Sequence, residues 1–105
     1  MLEMAEDDNG REVTLAMGEM AELTLAENPT TGYQWELSAK ADSVCKLVKD
    51  EFEPAGGPTG SGGVHRWRFK AVKPGSGEIE LQYRRPWEKN AAPARSYRAR
   101  VRVHK

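Results

Sequence analysis

Tyr97-Arg98-Ala99-Arg100-Val101-Arg102-Val103-His104, residues 97–104, alternates apolar and polar side chains without a break. Successive side chains of a strand point to opposite faces. This octet therefore describes a strand with Tyr97, Ala99, Val101 and Val103 against a core and Arg98, Arg100, Arg102 and His104 in water. A helix would mix the two sets around its circumference.

The same period of two recurs upstream. Ile79, Leu81 and Tyr83 alternate with Glu80, Gln82 and Arg84. Trp67, Phe69 and Ala71 alternate with Arg66, Arg68 and Lys70. Residues 44–52 show a weaker pattern. Tyr33, Trp35 and Leu37 alternate with Gln34 and Glu36, Leu23 and Leu25 with Glu22 and Thr24, and Val13 and Leu15 mark a short first strand. Pro and Gly separate the runs at Asn28-Pro29 and Gly32, at 54–63, at 74–77 and at 86–93. Residues 39–49 have some helical spacing, but Ser38, Asp42 and Ser43 favour a bend, so no helix is expected. Seven short strands predict an all-β fold, an immunoglobulin-like antiparallel β-sandwich. The Cys-Trp-Cys signature of antibody domains is absent.

The chain has 105 residues, enough for one compact domain. Residues 11–105 are expected to form that single domain. Residues 1–10, MLEMAEDDNG, are acidic and expected to be poorly ordered. They lack the apolar stretch of a signal peptide, which fits a cytoplasmic protein or a trimmed exported form. No apolar run approaches the roughly 20 residues of a membrane helix, and no membrane partner is expected. The single cysteine, Cys45, excludes an intramolecular disulfide and a cysteine zinc cluster. It reads as a small core or strand residue. No cofactor or metal is expected.

Net charge is zero, yet residues 1–63 hold 4 Lys+Arg against 13 Asp+Glu, and residues 64–105 hold 12 against 3. Such asymmetry fits either a polyanion-binding surface or acidic strands paired with basic ones. The basic residues alternate with apolar ones and leave no cluster, which favours pairing and argues against a nucleic-acid partner.

Three connections stand out. In a sandwich of this topology they emerge at one end. Asn28-Pro29-Thr30-Thr31-Gly32-Tyr33 joins the second and third strands. Pro29 fixes its own φ and pushes Asn28 towards an extended backbone. The threonines are stiff at χ1, and Gly32 permits a positive φ. Tyr33 and Trp35 anchor the segment that follows. A loop with so little freedom loses little entropy on binding, although a purely structural turn has the same properties. Arg85-Pro86-Trp87 follows the sixth strand and sets an aromatic ring beside a guanidinium, the residue types enriched at binding hot spots. A Trp folded over the sandwich edge is the alternative. Gly60-Ser61-Gly62-Gly63 precedes the fifth strand, where glycines allow close backbone approach or make a flexible linker.

Taken in order, NPTTGY, GSGG and RPW resemble the signature loops of the chagasin family of cysteine-peptidase inhibitors. The resemblance covers most of the chain. It implies an immunoglobulin-like fold and reversible, competitive inhibition of papain-like (cathepsin L-type) cysteine peptidases by a monomer. Thr30 and Thr31 would enter the cleft over the catalytic cysteine. Arg85, Pro86 and Trp87 would pack on one flank, and residues 60–63 would lie along the other. Glu88-Lys89 departs from the family pattern, which has a small residue nearby.

Two other readings stand beside this one. His65 and His104 read as exposed strand residues, and no HExxH, GxSxG or phosphate-cradling loop occurs, so an enzyme is not expected. A non-inhibitory module for polyanions or carbohydrate would use Arg98, Arg100 and Arg102 as a basic stripe and Trp87 as a stacking platform.

Overall fold

The computed structural model describes residues 1–56, 62–88 and 90–105. Eight strands make two sheets: β1 (Leu2–Met4), β2 (Glu12–Ala16), β3 (Met20–Glu27), β4 (Gln34–Lys40), β5 (Cys45–Pro54), β6 (Gly63–Ala71), β7 (Gly75–Arg84) and β8 (Arg95–His104). One sheet has the order β1-β3-β6-β5 and the other β2-β8-β7-β4. This division of β3, β6 and β5 from β8, β7 and β4 is the strand partition of an immunoglobulin-like sandwich.

The alternating residues do what their period requires. Tyr97, Ala99, Val101 and Val103 of β8 are buried, as are Ile79 and Leu81 of β7 and Trp67, Phe69 and Ala71 of β6. They meet Leu23 and Leu25 of β3, Leu15 of β2 and Trp35 of β4 in one core. Cys45 opens β5 inside that core, and burial pushes its thiol pKa up. Part of the charge asymmetry is a pairing code. Basic β6 lies between β3 and β5. Arg66 and Arg68 bind Glu22 of β3, and Arg66 also binds Glu53 of β5.

Two features depart from the sequence reading. Residues 1–10 were expected to be poorly ordered. Instead Leu2–Met4 pairs with β3, and Met4 is buried. A 3-10 turn follows at Glu6–Asp8, where the Tyr97 hydroxyl donates to the Ala5 carbonyl. The sandwich is also not wholly antiparallel, because β1 on β3 and β2 on β8 run parallel. The chain crosses from the edge of one sheet to the edge of the other between β1 and β2, so no hairpin joins them. The weak pattern of β5 has a local cause. Its register against β6 shifts between Leu47 and Lys49, and Val48 is left exposed.

Register fixes where the connections emerge. Glu27, Gly63 and Pro54 lie side by side at the ends of β3, β6 and β5. In the other sheet Gln34 faces Arg84, and Tyr83 faces Arg95. The β3–β4, β5–β6 and β7–β8 connections therefore share one end of the sandwich.

Candidate functional site

The β3–β4 connection is a single 3-10 turn, Pro29–Thr31, and its stiffness has an identifiable source. Asn28 caps it: the Asn28 side-chain oxygen accepts from the Thr30 amide (3.2 Å) and the Thr30 hydroxyl (2.6 Å). The Thr31 hydroxyl donates to the Asn28 carbonyl (2.7 Å) and accepts from the Tyr33 amide (3.3 Å). Each threonine thus closes the turn with its hydroxyl as well as stiffening it with its branched Cβ. Gly32 leaves the turn at φ +86°, in the left-handed region. Pro29, Thr30 and Thr31 are exposed at the crest, while Asn28, Gly32 and Tyr33 are partly covered.

The β7–β8 connection braces one side. Trp87 is 67% exposed, the most of any large apolar residue. Its ring nevertheless leans on the turn, because a Cβ placed on Gly32 would lie 2.4 Å from Trp87 Cη2. Arg85 stacks its guanidinium over the Tyr33 ring at 4.6 Å. It also donates through Nε to the Thr31 carbonyl (3.4 Å). Tyr33 rests in turn on Tyr83, with ring centroids 5.3 Å apart. Pro86, between Arg85 and Trp87 in sequence, is partly covered.

The β5–β6 connection touches the other side. Gly62 has φ +74°, and a Cβ there would come within 3.0 Å of the Glu27 carbonyl and 3.2 Å of Asn28 Cβ. Gly63 opens β6, and a Cβ there would strike the Glu53 carbonyl at 2.2 Å. Gly62 is thus favoured by its positive φ and tight surroundings, and Gly63 is required by close backbone approach. Gly60 and Ser61 lie outside the described residues.

The structure therefore brings Asn28, Pro29, Thr30, Thr31, Gly32, Tyr33, Gly62, Gly63, Arg85, Pro86 and Trp87 to one tip. Sequence reasoning missed four supporting residues. Glu88 accepts Arg85 Nη1 on its carboxylate (3.4 Å) and Arg84 Nη2 on its carbonyl (3.0 Å), so the residue that departs from the family pattern holds this loop. Tyr83 supplies the platform under Tyr33. Glu27 and His65 stand behind the turn. His65 is a correction: it was expected to be exposed, but its side chain is only 14% exposed and stacks on Trp67 at 4.1 Å. Leu25 faces His65 across the sheet, and the alternation that His65 shares with Trp67 and Phe69 was the signal available.

The basic stripe on β8 is only partly neutralised, and Arg102 lies in register between Thr14 and Ser76. Arg98 is engaged by Glu78 and Glu80, and Arg100 lies in register between Glu12 and Glu78. Among the described residues no cluster of His, Cys, Asp and Glu could hold a metal ion.

Comparison with known proteins agrees with this geometry. Amoebiasin-1 of Entamoeba histolytica is 37% identical over 92 residues, covering 86% of this chain and 88% of that protein. Chagasin of Trypanosoma cruzi is 31% identical over 84 residues, covering 75% and 76%. The crystal structure of the cysteine protease inhibitor EhICP2 from Entamoeba histolytica superposes with a TM-score of 0.85 at 25% identity, covering 98% of this chain and 94% of that one. The family described as Chagasin family peptidase inhibitor I42 matches residues 14–101. With that match spanning most of the sandwich and all three tip connections, the chain belongs to the chagasin family of peptidase inhibitors.

Proposed function

We propose that the tip enters the active-site cleft of a papain-like cysteine peptidase and blocks it reversibly and competitively. The observation that carries this reading is the capped turn at Pro29–Thr31, exposed at its crest and braced by Trp87 and Arg85 on one side and Gly62 on the other. Thr30 and Thr31 cover the catalytic thiolate. Trp87, with Arg85 and Pro86, packs on one wall of the cleft, and residues 60–63 follow the other through their backbone.

The turn also explains how the inhibitor survives the encounter. A thiolate attacks a carbonyl carbon held within about 3–3.5 Å in aligned geometry. The carbonyl of Asn28 already accepts from the Thr31 amide, that of Pro29 from the Gly32 amide, and that of Thr31 from Arg85. These bonds keep the chain in a 3-10 turn, which is not the extended peptide that a protease cleaves. Its inhibition needs no covalent step, and dilution should restore the enzyme.

Titration of papain and of a cathepsin L-type peptidase tests the reading. Both should lose activity in a substrate-competitive manner and regain it on dilution, while trypsin should be unaffected. Papain that keeps full activity in a large molar excess of folded inhibitor overturns it.

A further inference from the structure

The β3–β4 connection poses a structural problem that its own turn does not solve. β3 belongs to one sheet and β4 to the other. A hairpin closes its neck with ladder hydrogen bonds between adjacent strands, and here no ladder joins the two strands. Something else must set the angle at which the turn stands.

The neck is closed by side chains. Glu27 occupies the last inward position of β3, after Ala21, Leu23 and Leu25, and is 5% exposed. Its Oε2 accepts the Trp35 amide at 2.7 Å, which ties the first turn of β4 across the gap between the sheets. The Trp35 indole N–H donates to the Ala26 carbonyl at 2.9 Å, a second tie over the same gap. A buried carboxylate is costly unless its remaining lone pairs are satisfied. Oε1 meets His65 Nδ1 at 3.0 Å. His65 Nε2 meets Asp50 Oδ1 at 2.5 Å, and the imidazole is stacked flat on Trp67, with 6° between planes. The imidazole thus has little freedom to turn, and neither does the carboxylate that it orients.

We propose that Glu27 is a positioning residue for inhibition, oriented by His65, and that its bond to the Trp35 amide fixes the stance of the Pro29–Thr31 turn relative to Trp87 and Gly62. None of these polar groups needs to touch the peptidase. The proposal rests on the tip being the inhibitory surface. It predicts that damage at the neck appears as lost affinity in a protein that is still folded.

The test compares Glu27→Ala, Glu27→Gln, His65→Phe and Leu15→Ala with the parent. Inhibition constants against papain are measured on protein shown to be folded by circular dichroism, together with melting temperatures and hydrogen exchange at the Trp35 amide. Glu27→Ala should weaken inhibition by about tenfold or more and speed exchange at Trp35. Glu27→Gln keeps an amide oxygen for Trp35 and an N–H for His65, and should stay within about threefold of the parent. His65→Phe keeps the stack on Trp67 but leaves Oε1 without its partner, and should fall between the two. Leu15 is buried in β2, at the far end of the core. Its truncation should lower the melting temperature and leave the inhibition constant of the folded protein unchanged, which separates positioning from general destabilisation. A folded Glu27→Ala protein with the parent's inhibition constant overturns the proposal. If that variant does not fold, an unchanged constant for His65→Phe overturns it. If the parent itself fails to inhibit papain, the reading of the tip has failed instead, and Trp35 exchange alone decides whether Glu27 holds the neck.

Discussion

Gly32 meets two demands that no other residue meets together. Its φ of +86° disfavours any side chain, and a Cβ would collide with the Trp87 ring. Gly32→Val should therefore damage both the turn and the ring that leans on it, and should weaken papain inhibition more than Thr30→Ala. Thr30→Ala removes one hydroxyl bond to Asn28 and leaves the amide bond to the same oxygen. Trp87→Ala removes a large, exposed, pre-oriented ring. Truncating a hot-spot Trp typically costs about 2–4 kcal/mol, or roughly 30- to 1000-fold in affinity. Inhibition constants for the three variants rank them. Parent-like binding by Trp87→Ala would assign the ring to packing on Gly32 alone. Parent-like binding by Gly32→Val would remove the shaped turn from the mechanism.

Among the elements, β1 shows how a strand of three residues can matter. Leu2–Met4 lies parallel to β3, and Met4 fills the edge of the core. Met4→Ala should destabilise the fold by about 2–5 kcal/mol, the usual cost of emptying a buried Met site. It should leave tip geometry intact, because Met4 faces Leu23, four residues before Glu27. Denaturant melts measure the first effect and papain titration the second. A loss well under 1 kcal/mol would make β1 a loosely attached strand. This element was illegible in the sequence for a physical reason: three residues hold too few alternations to establish a period. β8 was legible because one face of it is wholly buried, so every second residue is constrained. β5 lies between the two, since its bulge at Val48 exchanges the faces halfway along. The candidate site divides in the same way. Its crest could be read as a stiff turn because Pro, Gly and Thr carry local backbone constraints, while its role came from the resemblance of the three connections to the chagasin family. The inward parity of Glu27 and His65 was legible but their role was not, because a polar residue at an inward position acquires meaning only from partners that the fold brings across the sheets.

At the scale of the whole molecule, ion pairs join the acidic and basic halves at Glu22 with Arg66 and Arg68, and others, such as Glu80 with Arg98, lie within one half. The hydrogen bond from Arg68 holds the Glu22 carboxyl below its ordinary value of 4.5, against the opposing effect of burial. The hydrogen bond from Arg98 does the same for Glu80. A carboxylate whose pKa is lower in the folded than in the unfolded chain binds fewer protons when folded. Its contribution to stability is complete above the unfolded value and disappears as pH falls through the folded one. These two groups therefore predict a melting temperature insensitive to them between about pH 6 and 8 and falling below about pH 4.5. Glu22 should dominate the fall. It is nearly covered and bridges Arg66 and Arg68 on the strand at the centre of its sheet, whereas the Glu80–Arg98 pair is open to solvent and screened by salt. Melting curves of the parent and of Glu22→Gln from pH 3 to 8 provide the check. The variant should be less stable at pH 7, and the gap to the parent should narrow as pH falls below about 4.5, as the parent progressively loses the same interaction. A constant gap between the two curves at every pH would mean that the acid sensitivity arises elsewhere, and that Glu22 acts through packing rather than through its charge.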